Sequence, residues 1–421
     1  EYVVAVIAEE GRDASAVLAE ALPRVIAGIT FSQNMRWNAS GASFSRPLRW
    51  YLALLDDVVV PFEYAGIRSG RVTRGIRPQG APDLTVARAA DYETTMARAG
   101  ILLDVGARER VTIDAARALA AEVDGAIPED AALLREVANL VEYPLAIRGA
   151  FADEYLRLPD QVLLAVMRKH QRYFPLMQDG KLLPYFVAVA NGGTLDADAV
   201  RFGNEEVLRA RYADAAFFYD ADVTKRLDAF TPQLATLTFQ ERLGSMLDKV
   251  RRLERLVPAL AADLGLSPEE TEVAARAAAL CKSDLATQLV VELTSLQGIM
   301  GRHYAERSGE APAVALAIEE HYLPRSAGDR LPTGMPGLVV GLADRLDTLV
   351  GLFSVGIRPS GAADPWGLRR AALGVVQLLV GRQVSLALPA ALAEAAALLP
   401  EGADEDVLRA VQEYIAGRYR G

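Results

Sequence analysis

Residues 336–353 read PGLVVGLADRLDTLVGLF, an apolar run whose only charged residues are Asp344, Arg345 and Asp347. The run predicts a helix, and glycine and proline separate it from its neighbours. Four more segments of this part of the chain also read as helices: residues 246–264, 268–292, 310–322 and 365–381. The pattern therefore predicts an all-helical domain over residues 236–385.

Two shorter alanine- and leucine-rich helices are predicted beyond Pro389, over residues 390–398 and 404–418. They would begin a further helical linker or domain over residues 386–421. We find no internal repeat and no low-complexity tract.

Residues 1–235 mix helical and strand patterns, which predicts an α+β domain. Asp56-Asp57 joins two apolar runs and predicts a hairpin, and Asp179-Gly180 is a strong type I′ turn signal. The predicted elements are helices over 13–28 (interrupted at Pro23) and 107–122, strands over 48–55, 58–65, 143–151, 174–178 and 181–190, and a Gly/Arg-rich loop over 69–78.

The composition is that of a soluble globular protein with two or three domains, since 421 residues exceed one ordinary domain. No run of about 18 apolar residues occurs, so no membrane span is expected. The single cysteine, Cys281, excludes a disulfide framework and suits a cytoplasmic protein. The first residues carry no basic stretch and no initiating methionine, so we expect no signal peptide and a fragment of a longer chain.

Familiar catalytic motifs do not occur in the sequence. It has no P-loop, no G-x-G-x-x-G, no G-x-S-x-G and no H-E-x-x-H. Only three histidines are present, His170, His303 and His321, which limits both metal binding and acid–base catalysis.

A basic, tryptophan-containing window stands out because the whole chain has a formal net charge of -10. Residues 34–80 hold seven arginines and three acidic residues, and Trp37 and Trp50 flank the first arginines. Guanidinium groups bind phosphates, and flat side chains stack on bases, so RNA is a candidate ligand. The alternative, which charge alone favours, is a solvated basic face with both tryptophans in the core. The candidate RNA-contacting residues of this window are Arg36, Arg46, Arg49, Arg74 and Arg77.

Two further segments combine cations with aromatic residues. Residues 168–174 read RKHQRYF, where Lys169, His170 and Arg172 could contact RNA or merely form a strand entrance with Tyr173 and Phe174 in the core. Arg209 and Arg211 lie on a predicted helix within residues 204–218. For this helix, a surface position with Phe217 and Phe218 in the core is favoured.

Asp284 and Asp344, on two segments of the helical domain, resemble the layout of HD phosphohydrolases. That chemistry needs an adjacent His-Asp pair to hold a metal, but Ser283 precedes Asp284 here. A degenerate HD-like fold without metal is therefore favoured over an active hydrolase. Alternatively, both aspartates are buried hydrogen-bonding groups, with Lys282 or Arg345 as partners. Cys281, read as mid-helix, is expected to be a packed core thiol.

The chain as a whole resembles the β subunit of the bacterial two-subunit glycyl-tRNA synthetase. The matching stretches occur in family order and cover nearly the whole chain: residues 35–54 (MRWNASGASFSRPLRWYLAL), 69–77 (SGRVTRGIR), 140–151, 167–176 (MRKHQRYFPL), 203–220, 281–305, 319–332, 342–353 and 364–374. One departure is Ile76 in Gly75-Ile76-Arg77, where the family usually has histidine.

The resemblance implies a B3/B4-like domain over residues 1–235 followed by the HD-like helical domain. It implies a tRNA-binding subunit of an α2β2 glycine-tRNA ligase in the cytoplasm, with no catalytic residue, metal or cofactor of its own. ATP and Mg²⁺ would be used by the α subunit. Three alternatives stay open: an HD-type phosphohydrolase, a B3/B4-like module that hydrolyses mischarged tRNA, and a scaffold that binds α but not tRNA.

Overall fold

The computed structural model describes residues 11–192, 196–359 and 364–420. The chain forms two compact units. The first unit comprises Glu1–Asp153 and Met167–Arg209, and the second comprises Glu154–Val166 and Ala210–Gly421. The predicted order, an α+β region followed by a helical region, is confirmed. The boundaries at residues 235 and 385 stay predictions.

A three-stranded antiparallel sheet forms the core of the first unit. Its strands are β8 (Pro144–Ala150), β9 (Phe174–Gln178) and β10 (Lys181–Asn191), in the order β8-β10-β9. Asp179 and Gly180 join β9 to β10 with φ angles of 49° and 79°, as the predicted type I′ turn requires. Phe174, Leu176 and Val187 on this sheet pack against α3 (Val105–Ala121) and α4 (Ala131–Leu140) in one apolar cluster.

Three helices of the first unit begin at an aspartate that caps their first turn. Asp104 accepts a hydrogen bond from Ala107 N at 2.6 Å, and Asp130 accepts one from Leu133 N at 3.1 Å. The helix that contains Pro23 continues through it. The helices are α1 (Ala14–Gly28), α2 (Tyr92–Arg98), α3 (Val105–Ala121), α4 (Ala131–Leu140) and the start of α6 (Ala197–Asp222).

Seven short strands lie between α1 and α2, and they include the predicted hairpin around Asp56-Asp57. The predicted loop over 69–78 is wrong in its first half. Arg74 there pairs with Asp83 in the strand β7 (Asp83–Thr85), and local composition does not reveal such long-range pairing. The strands are β1 (Tyr51–Leu52), β2 (Leu54–Leu55), β3 (Val58–Val59), β4 (Glu63–Tyr64), β5 (Ile67–Gly70), β6 (Val72–Arg74) and β7 (Asp83–Thr85).

The second unit is helical except for the short ribbon β11 (Thr238–Gln240) and β12 (Gly244–Ser245). The ribbon corrects the expectation that residues 236–385 are helical throughout. The helices are α5 (Asp160–Ala165), the end of α6, α7 (Met246–Asp263), α8 (Pro268–Leu280), α9 (Gln288–Glu292), α10 (Ile299–Arg307), α11 (Pro312–Glu320), α12 (Met335–Ser354), α13 (Leu368–Gly381), α14 (Leu388–Ala397) and α15 (Glu405–Arg420).

Helix α12 is the centre of the second unit. Fifteen of its twenty residues are buried, and α7, α8, α11, α13, α14 and α15 pack against it. A helix that is apolar on all sides must be surrounded by other helices, because no face of it tolerates water. Gly341 lets the end of α11 approach closely, since a Cβ there would lie 2.9 Å from His321 O.

The single helix predicted over 268–292 is wrong, because the chain leaves helical geometry after Leu280. Residues Ser283–Ala286 form a 3₁₀ turn before α9. The Asp284 carboxylate accepts hydrogen bonds from Gly298 N at 2.6 Å and Gly301 N at 3.1 Å. These bonds hold the turn inside the core, so Cys281 ends a helix instead of lying within one. It is a buried thiol, as expected.

The core of the sheet leaves no room for a side chain at Gly149. A Cβ there would lie 2.4 Å from Cζ of Phe186, which is fully buried and stacks on Tyr173. We expect Gly149→Ala to lower the free energy of unfolding by about 1–3 kcal/mol, as overpacking does. Chemical denaturation measures the change.

Gly203→Ala is the matched control, because no atom lies within 4 Å of a Cβ at that position on α6. There the substitution should stabilise by about 0.5–1 kcal/mol through helix propensity. Equal effects of the two substitutions would contradict this account of the core.

Candidate functional site

All ten candidate RNA-contacting residues are exposed: Arg36, Arg46, Arg49, Arg74, Arg77, Lys169, His170, Arg172, Arg209 and Arg211. They differ in whether an acidic side chain already neutralises them. A cation without an acidic neighbour is the better candidate for a phosphate contact, because it gives up no ion pair when it binds.

Arg36, Arg46 and Arg49 lie in an irregular segment that precedes β1. A backbone bridge between Met35 and Phe44 closes the segment. In the part of the chain that the structure describes, no acidic side chain forms an ion pair with any of the three arginines. Their guanidinium groups face solvent, and Arg46 only donates to Ser45 O at 2.9 Å. The segment is therefore a cationic surface whose three arginines are not neutralised by any acidic side chain of the described residues.

The alternative interpretation of this window was a solvated basic face with both tryptophans in the core. The structure contradicts only the placement of the tryptophans. Trp37 is half-buried, and Trp50 is 43% exposed. An indole beside unpaired arginines offers a flat apolar surface on which an unpaired base can stack. The arrangement supplies cations that can bind phosphates and a flat ring that can stack on a base, the two kinds of group that bind single-stranded RNA.

Arg74 and Arg77 lie further along the chain, at the end of a strand and in the turn after it. Strand β1 pairs with β5, and the chain continues from β5 into β6, which ends at Arg74. Arg74 forms an ion pair with Asp83 across β6 and β7. Arg77 begins a 3₁₀ turn, and no described acidic residue pairs with it. Arg77 is thus the better candidate of the two.

Lys169 and His170 project from a π-helical turn, Val166–Gln171. Buried residues anchor both ends of the turn, because Tyr173 N donates to Met167 O at 3.0 Å. Tyr173 also donates to Asn204 Oδ1 at 2.7 Å, and burial raises the pKa of Tyr173 to about 12. A wide turn with rigid ends presents its side chains in a fixed direction, and such turns are frequent at functional sites.

Neighbouring cations of this turn are neutralised. Arg172 pairs with Glu136 at 2.7 Å, and Arg168 pairs with Asp130. Arg172 also has a left-handed φ of 57°, an unfavourable conformation for a residue with a Cβ. Lys169 and His170 have no ion pair within the described ranges, which leaves them as the accessible positive groups.

Arg209 and Arg211 on α6 are less suited to RNA, since Arg209 already pairs with Glu206 at 2.6 Å. The placement of Phe217 in the core is wrong, because its side chain is 67% exposed. Helical periodicity turns Tyr212, Ala215 and Tyr219 inward and leaves Phe217 on the opposite face.

A second cluster of charged groups is buried inside the helical unit. Asp347 of α12 accepts hydrogen bonds from Lys249 Nζ at 2.8 Å and from Arg252 Nε at 2.6 Å, both on α7. Lys249 Nζ also lies 3.1 Å from Asp344 Oδ1. The sequence interpretation missed Lys249 and Arg252 as partners of Asp347, because residues 95 or more positions apart leave no local pattern.

Lys282 and His321 complete this buried centre. Lys282 Nζ lies 3.0 Å from Asp344 Oδ2 and 2.8 Å from His321 Nε2. The expected Lys282–Asp344 contact is therefore present. Arg345, the other suggested partner, instead donates to the backbone oxygens of residues 321–324 and 341. Two lysines from different segments thus share one carboxylate.

Burial and neighbouring charge set the ionisation of this centre. Burial disfavours the Asp344 carboxylate, but the positive charges of Lys249 and Lys282 outweigh it and hold the pKa of Asp344 well below its usual range. Burial, followed by the nearby Lys282, lowers the pKa of His321. The centre therefore holds an ionised Asp344 carboxylate and a neutral His321 imidazole.

An HD-type metal does not fit these residues. Ammonium groups lie where a divalent ion would have to meet Asp344 and His321. Among the described residues, no three His, Cys, Asp or Glu side chains are grouped to hold a metal ion. Asp284, the other candidate position, is instead bonded to backbone N–H groups of Gly298 and Gly301.

Comparison with known proteins assigns the chain to a family. The family model described as the glycyl-tRNA synthetase beta subunit matches residues 1–421. The chain belongs to this family. Among its relatives, a glycine–tRNA ligase beta subunit from Desulforudis audaxviator is 48% identical over 381 residues, covering 90% of this chain and 55% of the relative. A Desulforamulus reducens beta subunit is 43% identical over 427 residues, covering all of this chain and 61% of the relative.

A plant relative extends the comparison beyond bacteria. The chloroplastic/mitochondrial glycine–tRNA ligase 2 of Arabidopsis thaliana is 45% identical over 419 residues, which cover 99% of this chain and 39% of that protein. The chain thus spans between two fifths and three fifths of the length of these curated relatives. Within the described ranges, none of the helices is long and apolar enough to cross a membrane.

Because of Asp284, the stability of this member of the glycyl-tRNA synthetase beta-subunit family should depend on pH. Burial raises the pKa of Asp284 to about 6, whereas an unfolded aspartate titrates near 4. Between pH 4 and pH 6 the folded state keeps Asp284 protonated, whereas the unfolded state has lost that proton. Protonated Asp284 therefore contributes to stability at low pH, and this contribution is lost as pH rises through 6. Asp284→Asn cannot titrate, so its stability relative to the wild type should rise by about 2 kcal/mol from pH 4 to pH 7.

Denaturant unfolding at several pH values measures this difference. Asp214→Asn, at an exposed position of α6, is the charge-matched control and should follow the wild type. A constant difference between Asp284→Asn and the wild type would show that Asp284 is not protonated in the folded protein near pH 5.

Proposed function

We propose that this chain provides tRNA contacts within the beta subunit of a glycine–tRNA ligase. The reaction would be the ATP-dependent attachment of glycine to its tRNA. The partner α subunit would carry the catalytic centre and use ATP and Mg²⁺, and this chain would supply no catalytic residue. Family membership supports the activity, and the exposed, unpaired cations of the first unit support the role.

The observation that carries the proposal is the state of Arg36, Arg46 and Arg49. In an acidic protein, an arginine at the surface readily finds a carboxylate, yet these three have none among the described residues. Each would bind a phosphate without breaking an ion pair and would release a counterion on binding. Pro47 fixes φ between Arg46 and Arg49, which limits the motion of both.

Trp50 gives this surface a possible means of contacting bases. Its exposed indole directly follows Arg49, so a phosphate on the guanidinium would place an adjacent unpaired base within reach of the ring. Unpaired bases occur at the acceptor end of tRNA. Lys169 and His170 would provide a second contact region on the phosphate backbone.

Assembly and location are part of the same proposal. We expect an α2β2 complex in the cytoplasm, and we expect the first unit to be B3/B4-like and the helical unit to be HD-like. Nothing in the comparisons favours a phosphohydrolase, and the lysines at Asp344 argue against a metal-dependent one. The next experiment distinguishes tRNA binding by this chain from the alternative, a scaffold that binds α but not tRNA.

The double variant Arg46→Ala/Arg49→Ala tests the proposal in the two-subunit enzyme with the full-length beta chain. Loss of two phosphate contacts should weaken binding of glycine tRNA by roughly tenfold to fiftyfold at moderate salt. The slope of log affinity against log salt should become shallower by about 1.4–1.8. Filter binding at several salt concentrations measures both, and KM for tRNA should rise while ATP–pyrophosphate exchange is unchanged.

Arg251→Ala/Arg255→Ala is the matched control, since it removes two exposed arginines from α7. It should leave tRNA affinity within about twofold of the wild type, as expected when no phosphate contact is lost. If the Arg46/Arg49 variant folds and binds tRNA as the wild type does, this surface is not a tRNA contact and the scaffold interpretation gains support.

A further inference from the structure

We propose that two carboxylates of α4 limit the affinity of the first unit for RNA. Asp130, the cap of α4, pairs with Arg168. Glu136, on the same helix, pairs with Arg172. Both arginines are thereby withheld from phosphates. The inference rests on the proposed contact between this part of the chain and tRNA, and it identifies the residues that set the strength of that contact.

The first argument is the origin of the two carboxylates. The basic segment, residues 168–172, reads RKHQR, and residues 161–178 contain no acidic residue. Both partners come from α4 instead, through contacts between parts of the chain that are far apart in sequence. Helix α4 thus neutralises two positive charges that the basic segment would otherwise present, and only Lys169 and His170 stay accessible.

The second argument is how firmly α4 holds its carboxylates. The Asp130 side chain is only 15% exposed, and its Oδ1 accepts a hydrogen bond from Leu133 N at 3.1 Å while its Oδ2 pairs with Arg168. Glu136 lies within the helix, and its Oε1 accepts a hydrogen bond from Arg172 Nε at 2.7 Å. A fixed carboxylate keeps its arginine neutralised and repels a phosphate that approaches the same guanidinium.

The third argument is the backbone at Arg172. Its φ of 57° is left-handed, a strained conformation for a residue with a Cβ. Two contacts impose this conformation: the ion pair with Glu136, and the hydrogen bond from Tyr173 N to Met167 O at 3.0 Å. Strained residues persist where their surroundings fix them, and they cluster at ligand-binding sites. Glu136 therefore orients Arg172 as well as neutralising it.

The test measures binding of glycine tRNA and of an unrelated tRNA to the two-subunit enzyme with the full-length beta chain. Asp130→Asn/Glu136→Gln keeps the size of both side chains, and asparagine caps a helix as well as aspartate does. Release of two arginines should tighten binding of both tRNAs by roughly fivefold to twentyfold at moderate salt. The slope of log affinity against log salt should become steeper by about 1.4–1.8. A folding defect would weaken binding, so it cannot produce this result.

Removal of the released arginines shows whether they carry the gain. Adding Arg168→Ala/Arg172→Ala to the Asp130→Asn/Glu136→Gln variant restores the net charge of the wild type. Affinity and salt slope should then return to within about twofold of the wild-type values, because no additional phosphate contact is left. A gain that persists without the two arginines would overturn the inference.

Two further variants complete the experiment. Asp114→Asn/Glu122→Gln, the matched control, removes two exposed acidic residues at α3 and should change affinity by less than about threefold, since salt screens charges that touch no phosphate. Glu136→Gln alone, at an exposed helix position, should give about half of the change in slope, 0.7–0.9. It replaces the double variant if that variant does not fold.

Unchanged or weaker binding by the folded Asp130/Glu136 variant would overturn the inference, as would an equal gain in the α3 control. Lys169→Ala/His170→Ala separates this failure from failure of the proposed function. If that variant weakens tRNA binding while the Asp130/Glu136 variant does not tighten it, only the inference fails. If Lys169→Ala/His170→Ala binds tRNA as the wild type does, the basic segment is not a tRNA contact, and the inference fails together with the proposed second contact region.

Discussion

The structure of the helical unit depends on two carboxylates, Asp344 and Asp347, carried by its central helix α12. Lys249 and Arg252 of α7 bind them, and Lys282 binds Asp344 from the segment after α8. Removing one partner of a buried pair typically costs about 3–5 kcal/mol, because the other charge is left uncompensated. The requirement that these charges meet fixes which faces of the surrounding helices point toward α12, beyond what apolar burial alone would specify.

The two units use charge in opposite ways. In the helical unit, Lys249 and Arg252 of α7 are buried and pair with the buried Asp347 of α12, which rigidifies the core. In the first unit, Arg36, Arg46, Arg49 and Lys169 are exposed and have no ion pair among the described residues. Under the proposed function, the buried set would support the helices and the exposed set would contact the ligand.

Local sequence signals predicted the elements that local interactions determine. The Asp179-Gly180 turn and helices α3, α7 and α12 follow from turn chemistry and periodicity. All ten candidate cations are exposed, and their contact with tRNA stays a prediction. The errors occurred where distant partners decide the structure. Strand β6 forms because β7 pairs with it, and the break after Leu280 forms because Asp284 reaches Gly298 and Gly301.

The most direct measurement is ultraviolet cross-linking of glycine tRNA to the two-subunit enzyme with the full-length beta chain, followed by peptide mass spectrometry. Trp50 and its neighbours are suited to cross-linking because aromatic rings stacked on bases react efficiently. We predict cross-linked peptides within residues 35–50 and 167–173. Cross-links confined to other parts of the beta chain or to the α subunit would contradict the assignment of tRNA contacts to this cationic surface.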